Sequence, residues 1–208
     1  PSDQAIFNEE AFRENVLKGL AFVAENDRFL TMGVKPTRPE PGYGYIQMGD
    51  VFCDNMYQVQ SFTEKPERDF AKIFVESGEF YWNTGLFLSN VKHLRECFCK
   101  ILPPVLRDYD KQYPKFSIET ENAYMKESFS SYPNISVDFG ILEKPSDVCV
   151  MKCDFGWADL GTWHSIYEAM QKSDDDNVVI DSDVMMENCH NNVIKLPKGK
   201  LAVLNGLD

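Results

Sequence analysis

Four short segments of this chain combine polar side chains with glycine, proline or large rings. They lie at 42–45 (Gly-Tyr-Gly-Tyr), 64–66 (Glu-Lys-Pro), 81–85 (Tyr-Trp-Asn-Thr-Gly) and 157–163 (Trp-Ala-Asp-Leu-Gly-Thr-Trp). Such residues make poor cores, but they make rigid walls whose polar tips can contact a ligand. Because strand-like and helix-like runs separate these segments, we expect one pocket assembled from several loops.

The first three segments carry the groups that a hydroxyl-rich, phosphorylated ligand needs. Glu64 can accept hydrogen bonds from two sugar hydroxyls, and the Lys65 ammonium can meet a phosphate as a point charge. Asn83 can donate and accept at once, and Gly44 lets a ligand approach the backbone closely. Each has a structural alternative: a solvated ion pair for Glu64 and Lys65, an Asx turn for Asn83, and a simple turn for the glycines.

Two further carboxylates have the chemistry of a site for a hard divalent cation. Asp159 stands in a turn that leads into a helix pattern, and Asp3 lies in a Pro-Ser-Asp turn. Mg²⁺ usually takes one or two carboxylates together with phosphate oxygens of a substrate. Each aspartate alone is more typical of a helix cap. The metal interpretation therefore depends on the three segments whose residues can bind a sugar phosphate.

A fifth segment, at 136–144, adds another carboxylate and another ammonium. Ser136 or Asp138 is predicted to cap a short helix whose far end carries Glu143 and Lys144. For these residues a structural role and a ligand role are compatible.

The sequence gives no support to nucleophilic catalysis by a side chain. The three histidines, His93, His164 and His190, have no partners at ligand spacing, so no Ser-His-Asp or Cys-His arrangement is predicted. The six cysteines match no zinc or redox spacing. Most lie in apolar runs, which predicts buried free thiols in a reducing compartment.

Alternating helix and strand patterns must position these segments. Apolar spacing predicts helices at 9–26, at 67–76, over most of 90–130 and at 162–172, and strands at 29–34, 43–48, 56–64, 84–88 and 148–153. This alternation predicts an α/β sandwich. Two successive strands between 43 and 64, with no helix between them, predict a mixed sheet.

The character of the sequence changes after residue 173. An acidic stretch at 173–177 is followed by β-like runs at 178–180, 193–196 and 201–204. We therefore predict one domain over 1–173, and a linker with the first strands of a small C-terminal β module over 174–208.

Charge and hydropathy disfavour several classes of partner. The 208 residues carry 21 basic and 33 acidic side chains, a net charge of −12, so neither nucleic acid nor an anionic membrane is an expected partner. No apolar run approaches the roughly 20 residues of a membrane span, and we expect no signal peptide before Pro1. These features predict a soluble, cytoplasmic protein. They do not fix its oligomeric state, and a homodimer stays open.

Taken in chain order, the five segments closely resemble motifs of the mannose-1-phosphate guanylyltransferases, also called GDP-mannose pyrophosphorylases. The matching stretches are 36–46, 62–66, 81–87, 136–144 and 157–163, and the likeness covers nearly the whole chain. The resemblance implies a nucleotidyltransferase fold related to the Rossmann sandwiches, in which 1–173 supplies the sugar and metal side of the site. It also implies that GTP and mannose 1-phosphate give GDP-mannose and pyrophosphate, assisted by Mg²⁺.

By matching position, the resemblance also implies roles for seven residues. Lys65 and the two metal-site aspartates would be the catalytic set. In this chemistry the protein mainly positions groups and neutralises charge, so the missing nucleophile is expected. The implied set is Asp3 and Asp159 for the metal, Glu64, Asn83 and Asp138 for mannose hydroxyls, Gly44 close to the sugar, and Lys65 for a phosphate.

Two features depart from the family pattern. Nothing matches the family's glycine-rich loop followed by Arg and Lys, which cradles the GTP phosphates, and Gln4 stands where His usually follows Pro-Ser-Asp. We therefore expect an internal fragment, truncated before Pro1, whose first strands and nucleotide-binding segment lie upstream. The 208-residue chain alone is expected to be inactive as a transferase, and GDP-mannose synthesis by the purified chain would contradict this.

Three alternatives stay open at this point. The protein can be a pyrophosphorylase for another hexose 1-phosphate, because many hexoses share the hydroxyls that Glu64 and Asn83 would contact. It can be a non-catalytic homologue that binds sugar nucleotides. It can also be a structural α/β domain whose five segments are turns and caps.

Overall fold

The structure is a computed structural model that describes residues 1–101, 103–142 and 147–208. It divides into two compact units: a larger one from Asn8–Phe155, and a smaller one from Pro1–Phe7 together with Gly156–Asp208. The boundary expected after residue 173 falls inside the range of the smaller unit, and as a domain boundary it stays a prediction.

Helices and strands are numbered in chain order over the described residues. The helices are α1 (Glu9–Glu25), α2 (Arg68–Ser77), α3 (Val91–Ile101), α4 (Pro103–Gln112), α5 (Ile118–Ser128) and α6 (Trp163–Ala169). The strands are β1 (Gln4–Ile6), β2 (Phe29–Val34), β3 (Gly44–Cys53), β4 (Met56–Thr63), β5 (Phe80–Leu88), β6 (Val148–Cys153), β7 (Trp157–Asp159), β8 (Val178–Ile180), β9 (Asp183–Glu187), β10 (Val193–Lys195) and β11 (Leu201–Asn205).

The larger unit contains a mixed five-stranded sheet that closes on itself. The strand order is β2-β5-β3-β4-β6, with β6 returning to pair with β2. The β2–β6 pair is parallel and the other pairs are antiparallel. The predicted mixed α/β architecture is confirmed. The closure was not predicted, since it depends on β4 pairing with both β3 and β6.

One face of this sheet carries a core of apolar side chains. These residues come from strands β2, β3, β4 and β6 and from helix α3. Burying a large apolar side chain contributes roughly 1.5–3 kcal/mol to stability, so this core stabilises the closed sheet that carries the site residues. The buried members are Phe29, Ile46, Val59, Cys97, Val148 and Val150.

An asparagine cap and a left-handed glycine mark the ends of two helices. The Asn8 side chain accepts a hydrogen bond from the Ala11 backbone N–H, so Asn8 is the N-cap of α1. Helix α2 ends at Ser77, and the residue that follows it, Gly78, has a left-handed φ of 71°. Glycine adopts this conformation without the steric cost that a Cβ would bring.

Several element boundaries differ from those predicted. β5 begins at Phe80, four residues before the predicted start, so Asn83 lies inside a strand and not in a turn before it. β3 continues to Cys53, and α6 ends at Ala169. The aromatic residues at 80–82 have strong β propensity, which here outweighs the turn preference of the asparagine and glycine that follow them.

The smaller unit consists of short paired strands and one helix. β1 and β7 form an antiparallel pair, while β8–β10 and β9–β11 form two parallel pairs. The strands predicted at 178–180, 193–196 and 201–204 are confirmed as β8, β10 and β11, and β9 is an additional strand. No helix in the described parts of the chain is long and apolar enough to span a membrane.

Thiol accessibility gives a first testable prediction. Cys53 and Cys99 are exposed, whereas the other four cysteines are buried, and burial raises the pKa of Cys153 to about 12. Because the thiolate is the reactive form, Ellman's reagent should titrate two thiols quickly in the native protein and six after unfolding. A Cys53→Ser/Cys99→Ser variant should show almost no fast phase. Fast reaction of four or more native thiols would contradict this burial pattern.

Candidate functional site

Gly44, Glu64 and Asn83 come together at one place on the closed sheet. Antiparallel pairing of β3 with β5 sets Gly44 opposite Asn83, and Glu64 follows directly after β4. A Cβ added to Gly44 would lie 2.6 Å from Glu64 Oε2, and 3.3 Å from both Asn83 Cβ and Phe62 Cζ. Glycine at this position therefore leaves the room that the Glu64 carboxylate occupies.

The Asn83 side chain is oriented by three neighbours. Its Oδ1 accepts hydrogen bonds from Thr31 Oγ1 at 3.0 Å and from the Gly85 N–H at 3.2 Å. Its Nδ2 donates to Asp138 Oδ1 at 3.2 Å. The contact with Gly85 has the i to i+2 spacing of the predicted Asx turn, but it lies within a strand. The contact with Asp138 joins two of the predicted sugar-binding residues that are 55 positions apart in sequence.

Glu64 and Lys65 are adjacent to each other in space as well as in sequence. Lys65 Nζ lies 3.5 Å from Glu64 Oε1, and the Lys65 and Glu64 side chains are 66% and 20% exposed, respectively. Lys65 has a φ of 47°, a left-handed conformation that is uncommon for a residue with a Cβ. The ion-pair alternative and the ligand role are both compatible with this geometry, because the pair is accessible to solvent on the lysine side.

A cavity of about 680 Å³ lies beside this cluster. Its lining includes two carboxylates, one ammonium, one amide and one hydroxyl. Asp138 begins a π-helical turn, Asp138–Leu142, and the preceding Ser136 accepts a hydrogen bond from the Phe139 N–H at 3.3 Å, as expected of a capping residue. Glu143 and Lys144 lie outside the described residues. The lining residues are Glu64, Lys65, Asn134, Ile135, Ser136, Asp138 and Phe139.

Sequence reasoning missed two residues that support this cluster. One is Thr31, which holds the Asn83 amide. The other is Arg38, whose Nη2 lies 3.3 Å from Glu40 Oε2 and whose guanidinium lies 5.4 Å from the Trp82 ring centroid. Glu40 Oε1 also accepts a hydrogen bond from the Gly42 N–H at 3.2 Å, so this pair braces the loop before β3. In the sequence, this pair is indicated only by an Arg and a Glu two positions apart in a proline-rich loop.

Asp3 and Asp159 approach one another in the smaller unit. Pairing of β1 with β7 sets Gln4 opposite Asp159, and the Leu160 N–H donates to the Asp3 carbonyl at 2.7 Å. A Cβ on Gly161 would lie 2.9 Å from Asp159 Oδ1 and 3.6 Å from Asp3 Oδ2. Both carboxylates are therefore directed to the same small region.

The predicted alternative role of Asp159 as a helix cap is wrong. α6 is capped by Thr162, whose Oγ1 accepts a hydrogen bond from the Ser165 N–H at 3.1 Å. Asp159 Oδ1 instead accepts from the Gly161 N–H at 2.7 Å. Two oxygen ligands suit a hard cation that completes its coordination with substrate and water. Within the ranges that the structure describes, no group of three or more His, Cys, Asp or Glu side chains is arranged to hold a metal.

One cysteine–histidine contact differs from the sequence expectation. His93 Nε2 lies 3.6 Å from Cys97 Sγ, one turn away on α3, and both residues are buried. Burial raises the pKa of Cys97 above its ordinary value, which disfavours the nucleophilic thiolate. This pair is consequently part of the core.

Comparison with known proteins identifies the family. The model of the nucleotidyl transferase family matches residues 3–176, most of the chain. The chain belongs to the nucleotidyl transferase family. The match begins at Asp3 and extends past Asp159, so both units contribute residues to this family domain. The predicted nucleotidyltransferase class is therefore confirmed.

Curated relatives carry names that agree with the motifs. Mannose-1-phosphate guanylyltransferase from Escherichia coli is 30% identical over 98% of this chain and 45% of its own length. Mannose-1-phosphate guanylyltransferase ManC from Salmonella typhimurium is 35% identical over 85% of this chain and 38% of its own length. Xanthan biosynthesis protein XanB from Xanthomonas campestris is 34% identical over 92% and 40%. This nucleotidyl transferase chain thus spans less than half the length of these relatives.

Solved structures agree with the predicted fold. The crystal structure described as mannose-1-phosphate geranyltransferase from Thermus thermophilus superposes with a TM-score of 0.83 at 27% identity, over 100% of this chain and 58% of the other. Mannose-6-phosphate isomerase from Helicobacter pylori gives a TM-score of 0.62 at 23% identity, over 76% of this chain and 62% of the other. The second similarity indicates a shared fold and nothing more.

Proposed function

We propose that this protein makes GDP-mannose and pyrophosphate from GTP and mannose 1-phosphate, and that the described residues form its sugar and metal sites. The observation that supports this most directly is the convergence of Glu64, Asn83 and Asp138 beside Gly44. These polar groups line or adjoin one cavity in a member of a nucleotidyl transferase family. The proposed sugar is the one that the names of the curated relatives give.

Sugar binding in this proposal uses acceptors and donors that are already oriented. The Asp138 carboxylate accepts from Asn83 at one oxygen, and a carboxylate has about four acceptor positions in all. The Glu64 carboxylate lines the same cavity and offers a second acceptor group. Hydrogen bonds from hydroxyls to charged carboxylates are stronger than those to neutral groups, so this pair of carboxylates suits a hexose.

Lys65 is the proposed partner of the sugar phosphate. Its ammonium is mostly exposed, borders the same cavity and lies next to a sugar-binding carboxylate. A 1-phosphate group is attached directly to the sugar ring, so a cation close to Glu64 is suitably located to neutralise it. The left-handed backbone at Lys65 sets the direction of this side chain just after the end of β4.

Asp3 and Asp159 are the proposed ligands of Mg²⁺. Their two oxygens approach one region near Gly161, and hard carboxylate oxygens are the donors that Mg²⁺ prefers. When bound, Mg²⁺ neutralises charge on phosphate oxygens and helps align them. In the proposed reaction a phosphate oxygen of mannose 1-phosphate attacks the α-phosphorus of GTP, and pyrophosphate leaves. This reaction requires no side-chain nucleophile. The cytoplasmic location of the protein stays a prediction.

A binding experiment tests the sugar site. By calorimetry, the 208-residue chain should bind mannose 1-phosphate, and Glu64→Gln should weaken binding by about tenfold or more, as expected for the loss of a charged acceptor. Glu79→Gln is the matched control, because Glu79 is an exposed carboxylate just before β5 that accepts a hydrogen bond from Gln47 of β3. It should bind like the unchanged chain.

Three outcomes would separate the alternatives. Tighter binding of glucose 1-phosphate than of mannose 1-phosphate would favour a different hexose. If the whole encoded protein binds mannose 1-phosphate but releases no pyrophosphate from GTP, a non-catalytic homologue is favoured. Equal binding by the Glu64→Gln and Glu79→Gln variants would overturn the sugar assignment of this cluster.

A further inference from the structure

The cavity beside Glu64 has an apolar side that the proposed hydroxyl contacts do not use. Ile135 and Phe139 line it together with the polar groups, and they are 45% and 48% exposed. An exposed ring at the protein surface is common and needs no explanation. Here, however, the ring shares one cavity with two carboxylates, and ligand sites typically combine a few polar groups with aromatic walls.

The backbone around Phe139 is fixed by specific hydrogen bonds. The Phe139 N–H donates to Ser136 Oγ at 3.3 Å, and the Gly140 N–H donates to the Ser136 carbonyl at 2.9 Å. The segment forms a π-helical turn, a rare conformation that is often found at functional sites. Asp138 in the same turn is tied to Asn83. The turn therefore presents a carboxylate and an aromatic ring from adjacent residues to one cavity.

A pyranose ring has the two kinds of surface that such a cavity would recognise. Its hydroxyls project along the edge, where carboxylates can accept from them, and its C–H bonds form apolar patches on the faces. The face of an aromatic ring carries partial negative charge and attracts the weakly positive hydrogens of C–H bonds. We infer that Phe139, with Ile135 beside it, packs against the C–H face of the pyranose while Glu64 and Asp138 bind its hydroxyls.

This inference rests on the proposed function and adds a selectivity to it. Packing against the Phe139 ring favours the binding of a ligand that is cyclic and flat on one side. An open-chain polyol phosphate can offer the same hydroxyls and the same phosphate, but it has no such face. Phe139 is thus assigned as the residue that makes the site select cyclic hexose phosphates over their open-chain counterparts.

The test compares two ligands across four proteins. Mannose 1-phosphate and mannitol 1-phosphate are titrated by calorimetry into the unchanged chain and into Phe139→Ala, Phe139→Tyr and Phe129→Ala. Phe129 is the matched control, since it is 72% exposed and does not line the cavity. Phe139→Ala should weaken mannose 1-phosphate binding roughly 3- to 10-fold and should leave mannitol 1-phosphate binding unchanged. Phe139→Tyr and Phe129→Ala should bind both ligands like the unchanged chain.

The outcomes distinguish failure of this inference from failure of the proposed function. If the unchanged chain binds mannose 1-phosphate and Phe139→Ala binds it equally well, the stacking role is wrong and the sugar site stands. Equal weakening of both ligands by Phe139→Ala would also overturn it, because the loss would not depend on the ring of the sugar. If the unchanged chain binds neither ligand, the proposed function itself fails. Circular dichroism and thermal unfolding of each variant exclude a loss of fold as the cause.

Discussion

Replacing Gly44 with alanine is expected to weaken mannose 1-phosphate binding by about tenfold or more, as much as loss of the Glu64 carboxylate does, while the protein stays folded. The added Cβ would lie 2.6 Å from Glu64 Oε2, a separation that the two atoms cannot keep. The end of the Glu64 side chain can move, so the carboxylate should leave its position. The remaining contacts, at 3.3 Å to Asn83 Cβ and Phe62 Cζ, need only small shifts. The stability cost should therefore fall at the low end of the about 1–3 kcal/mol typical of overpacking.

Gly42→Ala is the matched control for this substitution. It lies two residues earlier in the same Gly-Tyr-Gly-Tyr segment, and its Cβ would meet Glu40 Oε1 at 3.3 Å. It should retain mannose 1-phosphate binding. Binding by calorimetry and thermal unfolding of both variants are the measurements.

A double-mutant cycle tests the mechanism behind the Gly44 prediction. If Gly44→Ala acts by displacing the Glu64 carboxylate, then adding Glu64→Gln to it should cause little further loss. The two changes would then be strongly non-additive, as expected for residues in direct contact. Where both single variants still bind weakly, additive losses would show that Gly44 acts independently of Glu64. Unchanged binding by Gly44→Ala would contradict the assignment altogether.

The order of the motifs predicted the family, but the contacts between them needed the structure. Glu64, Asn83 and Asp138 come from separate segments, and their convergence depends on the register that sets Gly44 opposite Asn83. A shift of one residue in that register would turn Asn83 to the other face of the sheet. No local pattern in the sequence specifies such a register. The prediction therefore identified residue types that can bind a sugar phosphate, and pairing of distant strands supplied their arrangement.

The residues that were missed are ones whose role depends on distant partners. Thr31 resembles any buried strand residue until its hydroxyl is seen 3.0 Å from Asn83 Oδ1. Closure of the sheet likewise depends on β4 reaching β6, which lies far along the chain. By contrast, the contact of His93 with Cys97 follows from their i, i+4 spacing on α3 and could have been predicted from helix geometry alone.

Changing Asp159 to asparagine should reduce the Mg²⁺-dependent turnover of the whole encoded protein by about a hundredfold or more. Enzymes lose rate on this scale when one electrostatic contact with the transition state is removed. Asparagine keeps the Oδ1 that accepts the Gly161 N–H at 2.7 Å, so the local turn should survive. It loses the negative charge that a hard divalent cation requires. Thermal stability should be nearly unchanged, while Mn²⁺ binding to the 208-residue chain, followed by electron paramagnetic resonance, should weaken. Asp3→Asn should act in the same direction.

Two further variants separate the charge of this site from its geometry. Asp183→Asn removes an exposed carboxylate from β9 in the same unit, and it should leave both turnover and Mn²⁺ binding as they are. Gly161→Ala removes no carboxylate, but its Cβ would lie 2.9 Å from Asp159 Oδ1 and 3.6 Å from Asp3 Oδ2. If the two aspartates bind one cation between them, Gly161→Ala should weaken Mn²⁺ binding almost as much as Asp159→Asn does. If Asp159→Asn leaves both measurements unchanged, these carboxylates serve only the turn that joins β7 to α6, and the metal must be held elsewhere.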